Sequence, residues 1–236
     1  MTCILVAHLG DEVIIAADKR VSEITQDGVR VPCGDDEEKI VRTALGVITG
    51  TGSVAMLDYV KSLVRDHGFS DPFEVLELIL RTRDLYSEEH AASPHLEADL
   101  AETSWMFTYP IMLNDQPVTR FVFYHPMYHT QSLIPLEAGN AICFPGDLSS
   151  EQAQALQADF QSVVTHSLES CPAGQARQFV MSYMLMMMSE ISAARETVSS
   201  TCDIALVDGS QVQVAMSVSA DDEELTFAPM AHRPGC

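Results

Sequence analysis

The first 18 residues carry two apolar runs separated by a short turn. Residues 3–9 read CILVAHL and residues 12–17 read EVIIAA, with Gly10-Asp11 between them. Two runs rich in β-branched residues around a glycine-containing dipeptide predict a β-hairpin. Because neither run alternates cleanly between apolar and polar residues, we expect both strands to be covered on both faces. A further strand pair is predicted at 38–42 and 45–49.

The spacing of the apolar residues then changes to that of a helix. Residues 52–67 place apolar side chains, together with Lys61, at helical spacing. Residues 70–90 predict a second helix, because Asp71 is a favourable N-cap and Pro72 occupies the first helical position. Two consecutive helices therefore follow the first group of strands.

The second half of the chain repeats this order of strands and helices. Strands are predicted within 104–144, in the segments SWMFTYPIML, VTRFVFYH, QSLIPL and NAICF. Ser149 and Gln152 have the spacing of a capping box, which predicts the start of a long helix there. Another helix is predicted from about Ala173 to Arg195, and its methionine-rich stretch is expected to be buried against a sheet.

A last hairpin is predicted over 202–207 and 211–217, across Asp208-Gly209. The chain contains no linker rich in proline, glycine or serine that would separate domains. Strands and helix pairs in this order pack most simply as two sheets face to face, with two helices on each outer face. We therefore predict an α+β fold, a four-layer αββα sandwich formed by residues 1–236 as one domain.

Composition narrows the classes of function. Apolar residues make up 47% of the 236 residues and charged residues 20%, which is typical of a globular protein. Lys and Arg number 13 against 34 Asp and Glu, giving a net charge of -21. This charge would repel phosphate backbones and anionic lipids, so nucleic acid and membranes are not expected as partners. No signal peptide or membrane-spanning run is recognisable, and we expect a cytoplasmic protein.

The cysteines and histidines do not have the spacing of a metal site. The six cysteines form no CxxC pair and have no companion histidines at zinc-ligand spacing, so neither a zinc site nor a disulfide framework is predicted. We interpret them as reduced thiols, most of them small core residues. No metal or other cofactor is predicted.

The amino terminus offers the clearest chemistry. If Met1 is removed, Thr2 carries a hydroxyl nucleophile and a free α-amine, whose pKa of about 8 suits a general base. Lys39, placed on a predicted strand, would assist the loss of the hydroxyl proton, and Asp18 would pair with Lys39 and fix its direction. The same residues are also compatible with a solvent-exposed surface that has no catalytic role. Lys39 lies in the acidic run GDDEEK, and charged residues at strand ends are usually solvated.

A resemblance favours the catalytic interpretation. The start T-x-(apolar)-x-(apolar), the segment GDEVIIAADKR, the later EKI and the motif GTGSVA before a helix are similar to proteasome β-type subunits and bacterial proteasome-related N-terminal-nucleophile (Ntn) hydrolases. The interval from Thr2 to Asp18 matches that family's nucleophile-to-aspartate interval without a gap. Arg20 matches the arginine that follows, and Lys39 matches the family's lysine after a short insertion.

The resemblance implies roles for further residues. The glycine whose N–H stabilises the oxyanion falls on Gly52, with Gly50 as the other choice. RETVSSTCDIALVDG places Glu196 where the family usually has Asp, and places Ser199 on its serine. The family's Gly-Ser-Gly element appears here as Phe144-Pro145-Gly146, which contains no serine.

The function that the resemblance implies is a threonine-type peptidase. Thr2 would attack the carbonyl of a peptide or unfolded protein, and the subunits would assemble into a homo-oligomeric ring or a helical oligomer. The resemblance also implies a possible ATPase partner that would deliver substrates to this assembly. No further cofactor is implied.

Three other interpretations stay open at this point. The chain could be a hydrolase of the same fold that acts on a small amide, or a catalytically silent subunit, which the missing serine near Pro145 favours. A third interpretation makes Cys3 the nucleophile. It is the weakest, because successive strand residues point to opposite faces and Thr2 would have to be lost.

Overall fold

The structure is a computed structural model that describes residues 2–25, 30–69, 71–146, 148–209 and 211–231. The helices are α1 (Val54–His67), α2 (Pro72–Glu89), α3 (Leu96–Glu102), α4 (Ser150–Ser170) and α5 (Ala173–Ala194). The strands are β1 (Cys3–His8), β2 (Glu12–Asp18), β3 (Val21–Ile24), β4 (Arg30–Gly34), β5 (Val41–Arg42), β6 (Val47–Thr51), β7 (Ser104–Leu113), β8 (Gln116–Tyr124), β9 (Ile134–Leu136), β10 (Ala141–Pro145), β11 (Cys202–Asp208), β12 (Gln211–Val218) and β13 (Ala228–Pro229).

The first sheet contains the hairpin predicted at the amino terminus. Its strand order is β10-β1-β2-β11-β12-β13, and β1 pairs antiparallel with both β2 and β10. Every residue of β1 and β2 is buried. Because side chains alternate across a strand, Ile4 and Val6 enter the layer between the sheets, while Leu5 packs beneath α4 and α5. Burial on both faces explains the unbroken apolar runs.

The second sheet has the order β5-β6-β7-β8-β9 and packs against the first. Met106, Phe121 and Phe123 from this sheet meet Ile4 and Val6 in the layer between the sheets. Its other face carries Trp105 and Tyr124, which pack beneath α1 and α2. Apolar side chains therefore fill all three spaces between four layers.

The predicted four-layer αββα sandwich is confirmed. Two helices also begin with the capping residues predicted from the sequence. Asp71 accepts a hydrogen bond from the Phe73 N–H at 2.8 Å, and Ser149 and Gln152 form a reciprocal capping box. The methionine-rich helix α5 lies against the first sheet, with Met181, Met184, Met187 and Met188 buried.

Several predicted boundaries were wrong. The strands expected at 38–42 and 45–49 are the shorter β5 and the later β6. Lys39 therefore lies in the irregular segment before β5 rather than on a strand. The prediction missed the β3–β4 ribbon and α3. Both have mixed, polar sequences, and α3 buries none of its residues, so their apolar spacing carries little signal.

The described cysteines are free thiols, but they are not all core residues. Cys3 and Cys202 are buried, whereas Cys33 is exposed on β4. Met1, part of the inserted segment at 26–29, and Cys236 lie outside the described residues. None of the helices in the described ranges combines the length and hydropathy needed to cross a membrane.

Candidate active site

Thr2 lies just before β1, at the junction of two cavities. It is buried, with 8% of its surface exposed. The lysine cavity, of about 300 Å³, is lined by Thr2, Lys39 and Lys61 together with the start of α1. The aromatic cavity, of about 860 Å³, is lined by Thr2 and by side chains that include His125 and Phe144. A molecule bound at Thr2 would therefore have space on both sides.

Asp18 is the last residue of β2 and is completely buried. Its Oδ1 accepts hydrogen bonds from the Cys3 N–H and from Lys39 Nζ, both at 2.8 Å. Its Oδ2 accepts from the Arg20 N–H at 3.0 Å and the Ser199 N–H at 3.3 Å. One carboxylate thus fixes the backbone directly after Thr2 and a lysine ammonium ion.

Lys39 is held by two acceptors. Its Nζ donates to Asp18 Oδ1 at 2.8 Å and to the Arg20 carbonyl at 2.6 Å, and the residue is 5% exposed. Burial lowers the pKa of Lys39, while the Asp18 carboxylate opposes this effect. The ammonium group is therefore a fixed cation in the wall of the cavity that Thr2 also lines.

Arg20 braces the loops around the site. Its Nε and Nη2 each bind the Asp35 carboxylate at 2.7 Å, and Nη1 donates to the Glu196 carbonyl at 2.6 Å. Hydrogen bonding to Asp35 raises the pKa of Arg20 and lowers that of Asp35. The contact with Glu196 uses its main-chain oxygen, and the Glu196 side chain is exposed.

Ser199 is a buried connector between the end of β2 and the segment before β11. Its hydroxyl accepts from the Lys19 N–H at 2.8 Å and donates to the Thr201 carbonyl at 2.6 Å. Its own N–H reaches Asp18. The geometry gives Ser199 a positioning contact with Asp18 through its backbone.

The two glycines occupy tight positions beside the lysine cavity. Gly52 has φ +117°, and a Cβ placed on it would lie 2.4 Å from Thr103 Cα. A Cβ on Gly50 would lie 2.5 Å from the Ser104 carbonyl oxygen. Gly52 also meets both cavities and directly precedes Ser53, the N-cap of α1. Backbone N–H groups at a helix start are suitable donors for a developing negative charge.

Sequence reasoning assigned no role to two buried lysines. Lys61 follows the helical spacing of α1 yet is 5% exposed, and it lines the lysine cavity. The signal in the sequence was a charged residue at a position where the helical spacing of α1 otherwise has apolar residues. Lys19 forms a buried ion pair with Asp203 at 3.2 Å. Asp203 is distant in sequence, so only the pairing of β2 with β11 reveals this contact.

Comparison with solved structures finds Anbu proteins with the same fold. The Gly-1 mutant of Anbu from Hyphomicrobium sp. strain MC1 has a TM-score of 0.58 at 16% identity, over 94% of this chain and 89% of that chain. Anbu from Yersinia bercovieri, named an ancestral beta-subunit, has a TM-score of 0.57 at 13% identity, over 98% and 89% of the two chains. No protein-family model and no curated protein matches the sequence.

These comparisons correct the family identification made from the sequence. The structural neighbours are Anbu proteins at 13–16% identity, so the identification as a proteasome β-type subunit or related Ntn hydrolase was wrong. Likeness at this level of identity establishes a proteasome-like fold and nothing finer. The roles of individual residues therefore depend on the contacts within this chain.

Proposed function

We propose that this chain is an amide hydrolase whose nucleophile is the Thr2 hydroxyl, exposed for reaction after Met1 is removed. The observation that carries the proposal is the buried Lys39–Asp18 ion pair, whose lysine lines the same cavity as Thr2. Buried ion pairs are costly to desolvate, and their presence beside a hydroxyl in a cavity favours a chemical role.

The proposed reaction uses groups of this chain alone. The free α-amine of Thr2 takes the hydroxyl proton as Oγ1 attacks the substrate carbonyl carbon. The Lys39 ammonium ion stabilises the negative charge on Oγ1, and Asp18 keeps that ammonium ion in place. N–H groups near Gly52 stabilise the oxyanion, with Gly50 as the other candidate.

Collapse of the intermediate breaks the C–N bond. The protonated α-amine gives its proton to the leaving amine, and an ester on Thr2 remains. Water then attacks this ester, assisted by the same amine, and releases the acid with the hydroxyl restored. Arg20 and Ser199 position Asp18 and the surrounding loops, and Glu196 contributes its main-chain carbonyl to Arg20.

Peptides or unfolded chains are the proposed substrates. Cavities on both sides of Thr2 would accommodate side chains that flank the cleaved bond. We also propose that the protein works as a homo-oligomer, in a ring or a helical assembly. An ATPase partner is a separate prediction, tested by co-purification.

Two alternative functions are tested against this proposal. A small-amide hydrolase would use the same Thr2 chemistry with one cavity as its pocket. A catalytically silent subunit is favoured by Phe144-Pro145-Gly146, which borders the aromatic cavity without a serine.

A substrate panel tests the proposal. Fluorogenic peptides and N-acylated amino acids would be incubated with the wild-type protein and with Thr2→Ala and Thr2→Ser variants. We expect hydrolysis of peptides by the wild type, reduced hydrolysis by Thr2→Ser and none by Thr2→Ala. Cleavage of acylated amino acids alone would replace the peptidase by the small-amide hydrolase. Absence of all Thr2-dependent cleavage would favour the silent subunit.

A further inference from the structure

Lys61 brings a second buried ammonium ion into the lysine cavity. It belongs to the face of α1 that also presents Val54 and Leu57 to that cavity. Within the described part of the chain, no hydrogen bond and no ion pair within 4 Å engages its Nζ, although the residue is 5% exposed. This contrasts with Lys39, which is bound by Asp18 and the Arg20 carbonyl.

An unpaired buried charge is costly, and burial lowers the pKa of Lys61. Asp58 and Glu37 oppose this shift, whereas repulsion from Lys39 and Arg65 adds to it. A lysine that only filled space on α1 could be replaced by an apolar residue at no such cost. The cavity therefore contains an ammonium group to which none of the described carboxylates lies within ion-pair distance.

The distribution of charge around the cavity points to where an anion would bind. Both lysines that line the cavity are buried, each with 5% of its surface exposed. The acidic residues occupy more open positions, with Asp58 and Glu102 exposed and Glu37 and Asp99 half-buried. Since electrostatic interactions are stronger where solvent is excluded, a carboxylate that reaches the interior would feel the lysines more than the acidic rim.

We propose that Lys61 binds the carboxylate of an acidic substrate side chain, aspartate or glutamate, next to the carbonyl group that Thr2 attacks. This inference rests on the proposed function. The cavity starts at Thr2 and is of a size for one side chain, so the acidic residue lies directly beside the cleaved bond. Lys39 is committed to Asp18, which leaves Lys61 as the recognition group.

Binding to a noncleaving protein tests this inference independently of catalysis. In the Thr2→Ala background, dye-labelled peptides that differ only by Glu or Gln at one central position would be titrated by fluorescence polarisation. We expect the Glu peptide to bind at least about tenfold more tightly, as one charge-assisted hydrogen bond supplies. Lys61→Met should abolish the difference, and Lys61→Arg should retain part of it.

Two controls complete the binding experiment. Arg81→Met removes one positive charge from an exposed position on α2 and should leave the Glu-to-Gln ratio unchanged. Lys61→Met should melt at a temperature at or above that of its parent, because it removes an unpaired buried charge. Equal affinities for the Glu and Gln peptides, or a preference that survives in Lys61→Met, would overturn the inference.

The active enzyme provides a second readout. We expect the wild-type protein to have a higher kcat/KM for cleavage after Glu than after Gln. Lys61→Met should lose this preference while it continues to cleave after Leu. Cleavage without any Lys61-dependent preference would reject the inference and leave the proposed function intact. If the wild-type protein cleaves no peptide, but the Thr2→Ala protein still binds the Glu peptide more tightly than the Gln peptide, the proposed function is rejected and the inference about Lys61 stands.

Discussion

Lys39 Nζ lies 2.8 Å from Asp18 Oδ1, and both groups are buried. The pair connects the end of β2 to the irregular segment before β5, two parts of the chain that are distant in sequence. Asp18 also accepts the N–H of Cys3, so the same carboxylate sets the backbone at Thr2. Changes at Asp18 should therefore affect both stability and the nucleophile.

Replacing Asp18 by Asn should be severely damaging although the shape is conserved. Each carboxylate oxygen accepts two donors, so the amide NH₂ of Asn must face donors in either orientation. Lys39 also loses its counter-ion. We expect the free energy of unfolding to fall by about 3 kcal/mol and kcat/KM to fall about 100-fold or more. Urea denaturation and kinetics measure the two effects.

A double-mutant cycle provides the control for Asp18→Asn. Lys39→Met alone and the double variant Asp18→Asn/Lys39→Met would be denatured under the same conditions. We expect the double variant to lose less stability than the two single variants lose together, because it leaves no buried charge unpaired. Additive losses would show that the two groups are not coupled.

Glu196→Gln and Ser199→Ala should separate a backbone contact from a side-chain contact. Glu196 is exposed, and the hydrogen bond from Arg20 goes to its main-chain carbonyl rather than to its carboxylate. We therefore expect Glu196→Gln to change kcat/KM less than about twofold. Ser199→Ala removes one buried and one partly buried hydrogen bond and should cost about 1–3 kcal/mol of stability. A large loss of activity in Glu196→Gln would assign its side chain a role that these contacts lack.

Gly52→Ala should disrupt the turn before α1. The positive φ of Gly52 disfavours any side chain, and the new Cβ would meet the Thr103 backbone. We expect a loss of more than about 2 kcal/mol and of activity. Gly174→Ala is the matched control, because nothing lies within 4 Å of its Cβ position on α5. Equal stability of the two variants would contradict the tight turn at Gly52.

Cys202 should make stability fall at alkaline pH. Burial raises the pKa of its thiol from 9.0 to about 12. Between these values the unfolded chain loses the thiol proton while the folded chain keeps it, so the free energy of unfolding falls with rising pH. The slope is about 1.4 kcal/mol per pH unit for one thiol. Cys202→Ala should unfold with a shallower pH dependence than the wild type between about pH 9 and pH 10.5. If the free energy of unfolding of the two proteins had the same slope against pH, the raised pKa of the buried Cys202 thiol would be contradicted.

The layered fold could be predicted because its signals are local and continuous. The buried hairpin, the Asp71 cap and the Ser149 capping box each follow from neighbouring residues. The ribbon β3–β4 and helix α3 escaped prediction because they lie outside the main apolar layers. Their residues have no regular apolar spacing to reveal them.

The candidate site was less predictable because it depends on contacts across the chain. Thr2, Asp18 and Lys39 could be selected by residue type, but the four donors to Asp18 come from four separate positions. Lys61 has a helical position that suggests only core packing. Its place in the cavity beside Thr2 is a result of how α1 packs on the second sheet, with its start close to the residue that precedes β1.

Intact-mass spectrometry with a threonine-directed β-lactone or epoxyketone decides whether Thr2 is the nucleophile. The purified protein would be weighed before and after treatment, and the modified residue located by peptide mapping. We expect a mass without Met1, one adduct per chain located on Thr2, and no adduct in Thr2→Ala. A chain that retains Met1, or an adduct that persists in Thr2→Ala, would show that Thr2 does not carry the reaction.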